Sequence, residues 1–301
     1  MIHLPVVVLG NIPIAEQLGK KGTESDIVLY NHTSSEGVFT YITIHSEKIQ
    51  PLLEAVHMAD VCVIAIKELT KPIGEQIVLA AARTWSKGFF FIQNIPDTDV
   101  KALVKGTSLA SFEFVSDIAA LRQKIASIPA EHGEKPVWIP IDTTFNVKSV
   151  GTIILGIVQQ GTIRKHDTVR VEPLGKEVSI KSIQSQDHDI DEASTGTRVG
   201  LNLKGVEADE LRRGFVLCAQ GNVAKELTVS FTQSLFYNLP VEPQEKVFFN
   251  VGLQVVSANY FKSENKVVLD VPVVFHSGDE YLIVSQRSIM PRLIGNGTIQ
   301  K

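Results

Sequence analysis

Short apolar runs alternate with helically spaced apolar residues through the first 128 positions. Val6–Leu9, Phe39–Ile44, Val61–Ile66, Phe89–Ile92 and Phe112–Val115 are dense in Val, Ile, Leu and Phe and read as buried strands. Between them, Lys48–His57, Gly74–Thr84 and Asp117–Ile125 space their Leu, Ile, Val and Ala residues as one helix face requires. Strands alternating with helices predict βαβ units, and so a Rossmann-like, largely parallel sheet over residues 1–128. At Ile128-Pro129-Ala130-Glu131-His132-Gly133-Glu134-Lys135-Pro136 both periodicities stop, as in a linker. Beyond it, short Val-, Ile- and Thr-rich strands recur between Gly, Asp and Asn turns, a barrel pattern with no long helix. A further turn cluster at Gln220-Gly221-Asn222 marks a second boundary. The predicted class is multi-domain α/β plus β, with an α/β domain over 1–128 and β-barrels over 136–220 and 221–301.

Length agrees with this division, because 301 residues exceed what a single core usually serves. Hydrophobic residues make up 44% and charged residues 21%, enough to bury real cores and incompatible with a disordered chain. The longest apolar runs, Val61–Ile66 and Gly88–Ile92, are far shorter than the roughly 20 residues of a membrane-spanning helix. Met1-Ile2-His3-Leu4-Pro5 lacks the basic start of a signal peptide, so a cytoplasmic protein without a membrane partner is expected. Cys62 and Cys218 lie in apolar surroundings and read as buried thiols, which sets aside zinc and thiol chemistry.

The net charge of −4 comes from the first segment: residues 1–134 hold 11 basic against 15 acidic side chains, 135–220 hold 11 against 11, and 221–301 hold 7 against 7. No segment carries the basic excess of a general DNA or RNA binder, so any nucleic-acid contact must be local.

Particular phrases then point to a family. Ile139–Val147, Val150–Gly156 and Gly161–Asp167 follow in an order that resembles the second domain of translational GTPases. Ser182–Ser185, Gly196–Val206 and Arg212–Leu217 continue it, and are similar to elongation factor Tu and SelB-type selenocysteine factors. Arg287-Ser288 and Arg292–Gly297 resemble the end of the third domain, and Leu18–Ile27 resembles the archaeal SelB-like paralogues. The resemblance implies a P-loop-NTPase-like first domain, two antiparallel β-barrels, GTP and magnesium as cofactors, and a second-domain surface that receives the aminoacyl end of tRNA.

The nucleotide motifs depart from that expectation. Where the family carries G-x-x-x-x-G-K-S/T, this chain reads Gly10-Asn11-Ile12-Pro13-Ile14-Ala15-Glu16-Gln17. Ala15 replaces the second glycine, Glu16 puts a negative charge where lysine should neutralise phosphate, and Pro13 removes an amide donor. Thr43-Ile44-His45-Ser46-Glu47 lacks the Asp and Gly of the magnesium-side motif, and a lone His45 at a strand end reads as structural. Asn94-Ile95-Pro96-Asp97 keeps the Asn and Asp of the guanine-reading N-K-x-D, yet Asn, Pro and Asp also suit an ordinary turn. Gly10, Asn94 and Asp97 are thus nucleotide-site remnants. No catalytic or metal-binding residue is assigned, and no cofactor is expected unless an atypical site holds GTP and magnesium.

For the aminoacyl acceptor end, the matching positions are Asp142, Phe145, Gln184, Gln186, Asp187 and Arg198. An aromatic face beside hydrogen-bonding groups suits a splayed single strand, with Arg198 as the cation, while a phenylalanine plugging the barrel end is the structural alternative. His188 among Asp187, Asp189 and Asp191 reads as a solvated face rather than a metal site. Three functions stay open: a translation-factor-like protein that has lost GTP and binds aminoacyl-tRNA, the ribosome or a translation-related protein; a working GTPase with an atypical site; and a non-translational protein scaffold.

Overall fold

The computed structural model describes residues 2–129 and 135–300. The middle of the expected linker, Ala130–Glu134, lies outside the described residues. The first domain is built from β1 (Ile2–Gly10), α1 (Ala15–Leu18), β2 (Lys20–Glu24), β3 (Ile27–Thr33), β4 (Gly37–Ile44), α2 (Ile49–Ala55), β5 (Val61–Ile66), α3 (Lys71–Ala81), β6 (Lys87–Ile92), α4 (Asp97–Leu103), β7 (Glu113–Val115) and α5 (Ile118–Ala126). Its seven strands lie in the order β2-β3-β4-β1-β5-β6-β7. β1 runs parallel to β4 and β5, and β5, β6 and β7 continue in parallel.

Parallel strands are covered by helices on both faces, which is why β1 and β5 are continuous apolar runs. Alternate residues take opposite sides. Val6, Val8, Val61, Val63, Phe89 and Phe91 pack in one cluster with Ile14 and Leu18 around α1 and with Leu121 and Ile125 of α5. Their neighbours Val7, Leu9, Cys62, Ile64 and Phe90 are buried as well. Helix α3 starts at Lys71 rather than Gly74 because Thr70 caps it, its hydroxyl accepting from the Ile73 amide, with Pro72 in the first turn. Asp117 caps α5 in the same way, accepting from the Ala120 amide at 2.7 Å.

Two features differ from the sequence expectation. The stretch Lys20–Thr33 is a hairpin, with β2 antiparallel to β3 and β3 antiparallel to β4. Its outer strand is mostly exposed and carries Lys20, Lys21 and Glu24, charges that discourage further pairing at a sheet edge. Behind Pro96 the chain forms α4, a helix that buries only Val100 and so leaves little apolar periodicity to detect.

The next strands are β8 (Trp138–Val147), β9 (Gly151–Ile157), β10 (Thr162–Arg164), β11 (Thr168–Glu172), β12 (Lys176–Ser185), β13 (His188–Ile190), β14 (Glu192–Ser194), β15 (Arg198–Lys204) and β16 (Val216–Cys218). β11, β16, β8, β9, β15 and β12 are neighbours in that order, and β11 also pairs with β12, so the ring closes into an antiparallel barrel. Ile139, Ile154, Val171, Ile180, Leu201 and Leu217 are fully buried within it. β10 and β14 form a separate two-stranded ladder.

The last strands, β17 (Asn222–Thr228), β18 (Thr232–Gln233), β19 (Gln244–Val251), β20 (Gln254–Phe261), β21 (Lys266–Phe275), β22 (Glu280–Ser285) and β23 (Leu293–Thr298), share one sheet. β17, β21, β20 and β19 are antiparallel neighbours in that order, and β18 pairs antiparallel with β23. By compactness the chain divides into Met1–Pro129 with Phe231–Val241 and Leu282–Gly297, and Ala130–Ser230 with Glu242–Tyr281 and Thr298–Lys301. Among the described residues no helix is long and apolar enough to cross a membrane.

Inside the first unit an ion pair is buried where α3 meets the 282–297 segment. Glu75, 3% exposed, accepts from the Arg292 backbone amide (2.9 Å), Nε (2.9 Å) and Nη2 (2.5 Å). Removing one member of such a pair strands the other charge. Glu75→Ala is therefore expected to lower stability by about 3 kcal/mol, read from urea unfolding midpoints at constant m-value.

Candidate functional site

In open α/β sheets ligands bind beyond the carboxyl ends of the strands, and Gly10, Ala65 and Asn94 all lie at that edge. β1 ends with Gly10 at φ +112°, a backbone state that favours glycine. A methyl group there would stand 1.9 Å from the Ala65 carbonyl oxygen, so no side chain fits. The amides of Asn11 (2.8 Å) and Ile12 (3.3 Å) both donate to that oxygen, and the Ile14 amide donates back to Ile12 (2.7 Å). The Gly10 amide donates to Gln76 Oε1 on α3 at 2.7 Å. Asn11 ties the turn to the loop after β5, accepting from the Lys67 amide and donating to the Glu68 carbonyl.

A phosphate cradle needs convergent amides pointing outward from a glycine-rich turn into a helix N-terminus. Here the amides of Gly10, Asn11, Ile12 and Ile14 are all taken by protein acceptors, and α1 is a single turn. The donors around Gly10 do not fit a nucleoside triphosphate with its magnesium.

Asn94 follows β6 with φ +60°, a turn conformation that asparagine tolerates. Asp97 opens α4, where its charge favours the helix N-terminus and lies 4.0 Å from Lys101 Nζ one turn on. His45 is exposed just past β4, and its backbone amide donates to the Asp26 carbonyl.

The acceptor-end positions divide into three groups. Asp142 on β8 and Arg198 on β15 meet as a buried pair, Arg198 Nη1 lying 2.5 Å from Asp142 Oδ2 with 10% and 7% of their side chains exposed. The contact is ionic rather than an aligned hydrogen bond. The Thr143 hydroxyl donates to Asp142 Oδ1, and Arg213 Nε donates to the Asp142 carbonyl at 2.8 Å. Arg198 is therefore no solvent-facing cation, in contrast to its expected part in drawing phosphate.

Gln184, Gln186 and Asp187 gather at the β12–β13 hairpin. Gln184 Nε2 donates to Asp189 Oδ1 across the ladder at 2.9 Å. Gln186 and Asp187 form a two-residue turn with both φ values positive, 50° and 63°, the geometry that matches strand twist. His188 and Asp189 are exposed on the return strand. Phe145 stands apart on β8, opposite Ile153, with 40% of its surface open. It does not plug the barrel. Cys62 and Cys218 are free and buried; burial raises both thiols, Cys218 to about 11, so neither is a ready nucleophile.

Residues 151–218 match the Elongation factor Tu domain 2 family. Across 309 residues the chain is 35% identical to Uncharacterized protein MJ0325 of Methanocaldococcus jannaschii, covering 99% of this chain and 100% of that one. The selenocysteine-specific elongation factor of the same organism is 37% identical over 125 residues, 40% of this chain but 26% of that protein. The fold of SelB from Methanococcus maripaludis, solved with the GTP analogue GPPNHP, superposes with a TM-score of 0.84 at 19% identity, covering 100% of this chain and 79% of that one. The chain belongs to the translational GTPase superfamily. A bacterial selenocysteine-specific elongation factor, EF-Sec, shares the fold at a TM-score of 0.83 and 17% identity, covering 99% of this chain and 58% of that one.

Within this superfamily member, the Gln76 and Ala65 contacts that close the β1 turn had no sequence signal, since 66 residues separate Gly10 from its partner. The Asp142–Arg198 pair was likewise invisible as a pair. Arg198→Ala leaves a carboxylate buried without its cation and is expected to cost about 3–5 kcal/mol. Urea melts of Arg198→Ala, Asp142→Ala and the double variant test this: the double variant should recover part of the loss.

Proposed function

We propose that this protein is a translation-factor paralogue that has given up GTP binding and acts as a cytoplasmic binding protein for aminoacyl-tRNA, the ribosome or a translation partner. The closed β1 turn carries this reading, because the amides of Gly10, Asn11, Ile12 and Ile14 already serve the fold. Glu16 and Pro13 in the same stretch add a negative charge and remove an amide. A kept superfamily fold and second-domain match beside a closed phosphate turn are what a retained binding scaffold requires. The exposed Phe145 ring offers the stacking surface that an unpaired acceptor end uses, with Gln184 supplying edge contacts.

Calorimetric titration with GTP and GDP, with and without magnesium, tests the first half. Affinity no tighter than about millimolar is expected, and saturable micromolar binding would restore the GTPase reading. Gel shifts at physiological salt with aminoacylated and uncharged tRNA test the second half. Phe145→Ala should weaken the charged-tRNA complex by about 1–3 kcal/mol, and equal binding of the two tRNAs would leave the ribosome or a protein as partner.

A further inference from the structure

A second site lies away from the strand ends, within the first unit. Helix α3, α4 and the segments 231–241 and 282–297 enclose a cleft of about 340 Å³. Its walls are apolar, formed by Ile77, Val78, Ala81, Leu103, Phe236 and Pro291. Exposed apolar side chains collect at its edge: Leu235 is 86% exposed, Met290 37%, and Ile289 beside it 58%. Large side chains left in water in one place mark a surface that a partner covers.

Charge narrows the partner's chemistry. Glu75 is the only carboxylate of the lining, and three hydrogen bonds from Arg292 neutralise it. Lys71 also lines the cleft and makes no ion pair among the described residues. It sits in the first turn of α3, where the helix dipole adds positive potential. An apolar cleft with an uncompensated cation at one end complements apolar side chains accompanied by carboxylates.

Gly74 supplies an independent observation. It lies inside α3, where glycine weakens a helix relative to alanine, and its backbone needs no left-handed conformation. A methyl group built on it meets nothing within 4 Å, so no neighbour in the fold excludes a side chain. The space it leaves opens into the cleft that Gly74 lines.

We propose that this cleft docks a segment of a partner protein that inserts bulky apolar side chains beside Ile77, Val78 and Phe236 and sets carboxylates against Lys71. This inference is independent of whether guanine nucleotide or tRNA binds elsewhere.

The test uses the full-length protein and fluorescence anisotropy of a short labelled peptide with Leu and Phe at helical spacing among glutamates. Saturable binding is expected, weakened at least about tenfold by Lys71→Glu and abolished by Gly74→Leu. Leucine is a good helix former, so Gly74→Leu should hold or raise the melting temperature while filling the cleft. Equal binding of the same peptide with lysines for glutamates, or unchanged binding by Gly74→Leu, overturns the proposal. So does failure of the peptide where octanoate binds, which would make this a small-molecule site. Self-association in sedimentation that Gly74→Leu abolishes, with no peptide binding, would assign the cleft to a second copy and equally overturn it.

Discussion

The hydrogen bond from the Gly10 amide to the Gln76 side chain is the contact on which the first domain's functional edge depends. It draws the end of β1 against α3, and the Ala65 carbonyl takes the next two amides. A chain that turns this tightly needs a residue without Cβ at Gly10, because φ is +112° and the Ala65 oxygen occupies the side-chain position. The strand end that opens a phosphate loop in the superfamily is here a closed structural turn.

Three successive residues of α3 serve three different neighbours. Consecutive helical residues point about 100° apart, so Gly74, Glu75 and Gln76 reach different partners although Gly74 and Glu75 both border the cleft. Gln76 reaches the β1 turn, Glu75 takes the Arg292 guanidinium, and Gly74 borders the apolar cleft. The helix is thereby fixed by polar contacts at its N-terminal half, while Ile77, Val78 and Ala81 turn apolar surface toward the cleft.

In the second domain the residues grouped by family resemblance differ in burial. Asp142 and Arg198 are buried and neutralise each other, whereas Phe145 is exposed. Buried charge is tolerable only as a pair, since an isolated buried ion would face a desolvation cost of several kcal/mol. The exposed aromatic has no such constraint and keeps a surface that another molecule can stack on.

Local patterning decided the architecture: continuous apolar runs at Val6–Leu9 and Val61–Ile66 required a two-sided cover, and Gly-punctuated Val and Ile strands after 136 required a barrel. It also decided that the phosphate motif was broken, because Ala15 and Glu16 stand in the wrong places for that chemistry whatever surrounds them. Strand β2 and helix α4 escaped it, the one being a polar edge and the other burying a single valine, and β3 escaped it despite the apolar run Ile27–Tyr30, which continues the family-like stretch Leu18–Ile27. Only tertiary structure decided where the freed amides of the β1 turn go, that Arg198 is spoken for by Asp142, and that α3 borders an apolar cleft. Each of these joins residues tens to hundreds of positions apart, and such pairings arise from packing in space, which the order of residues along one chain does not display.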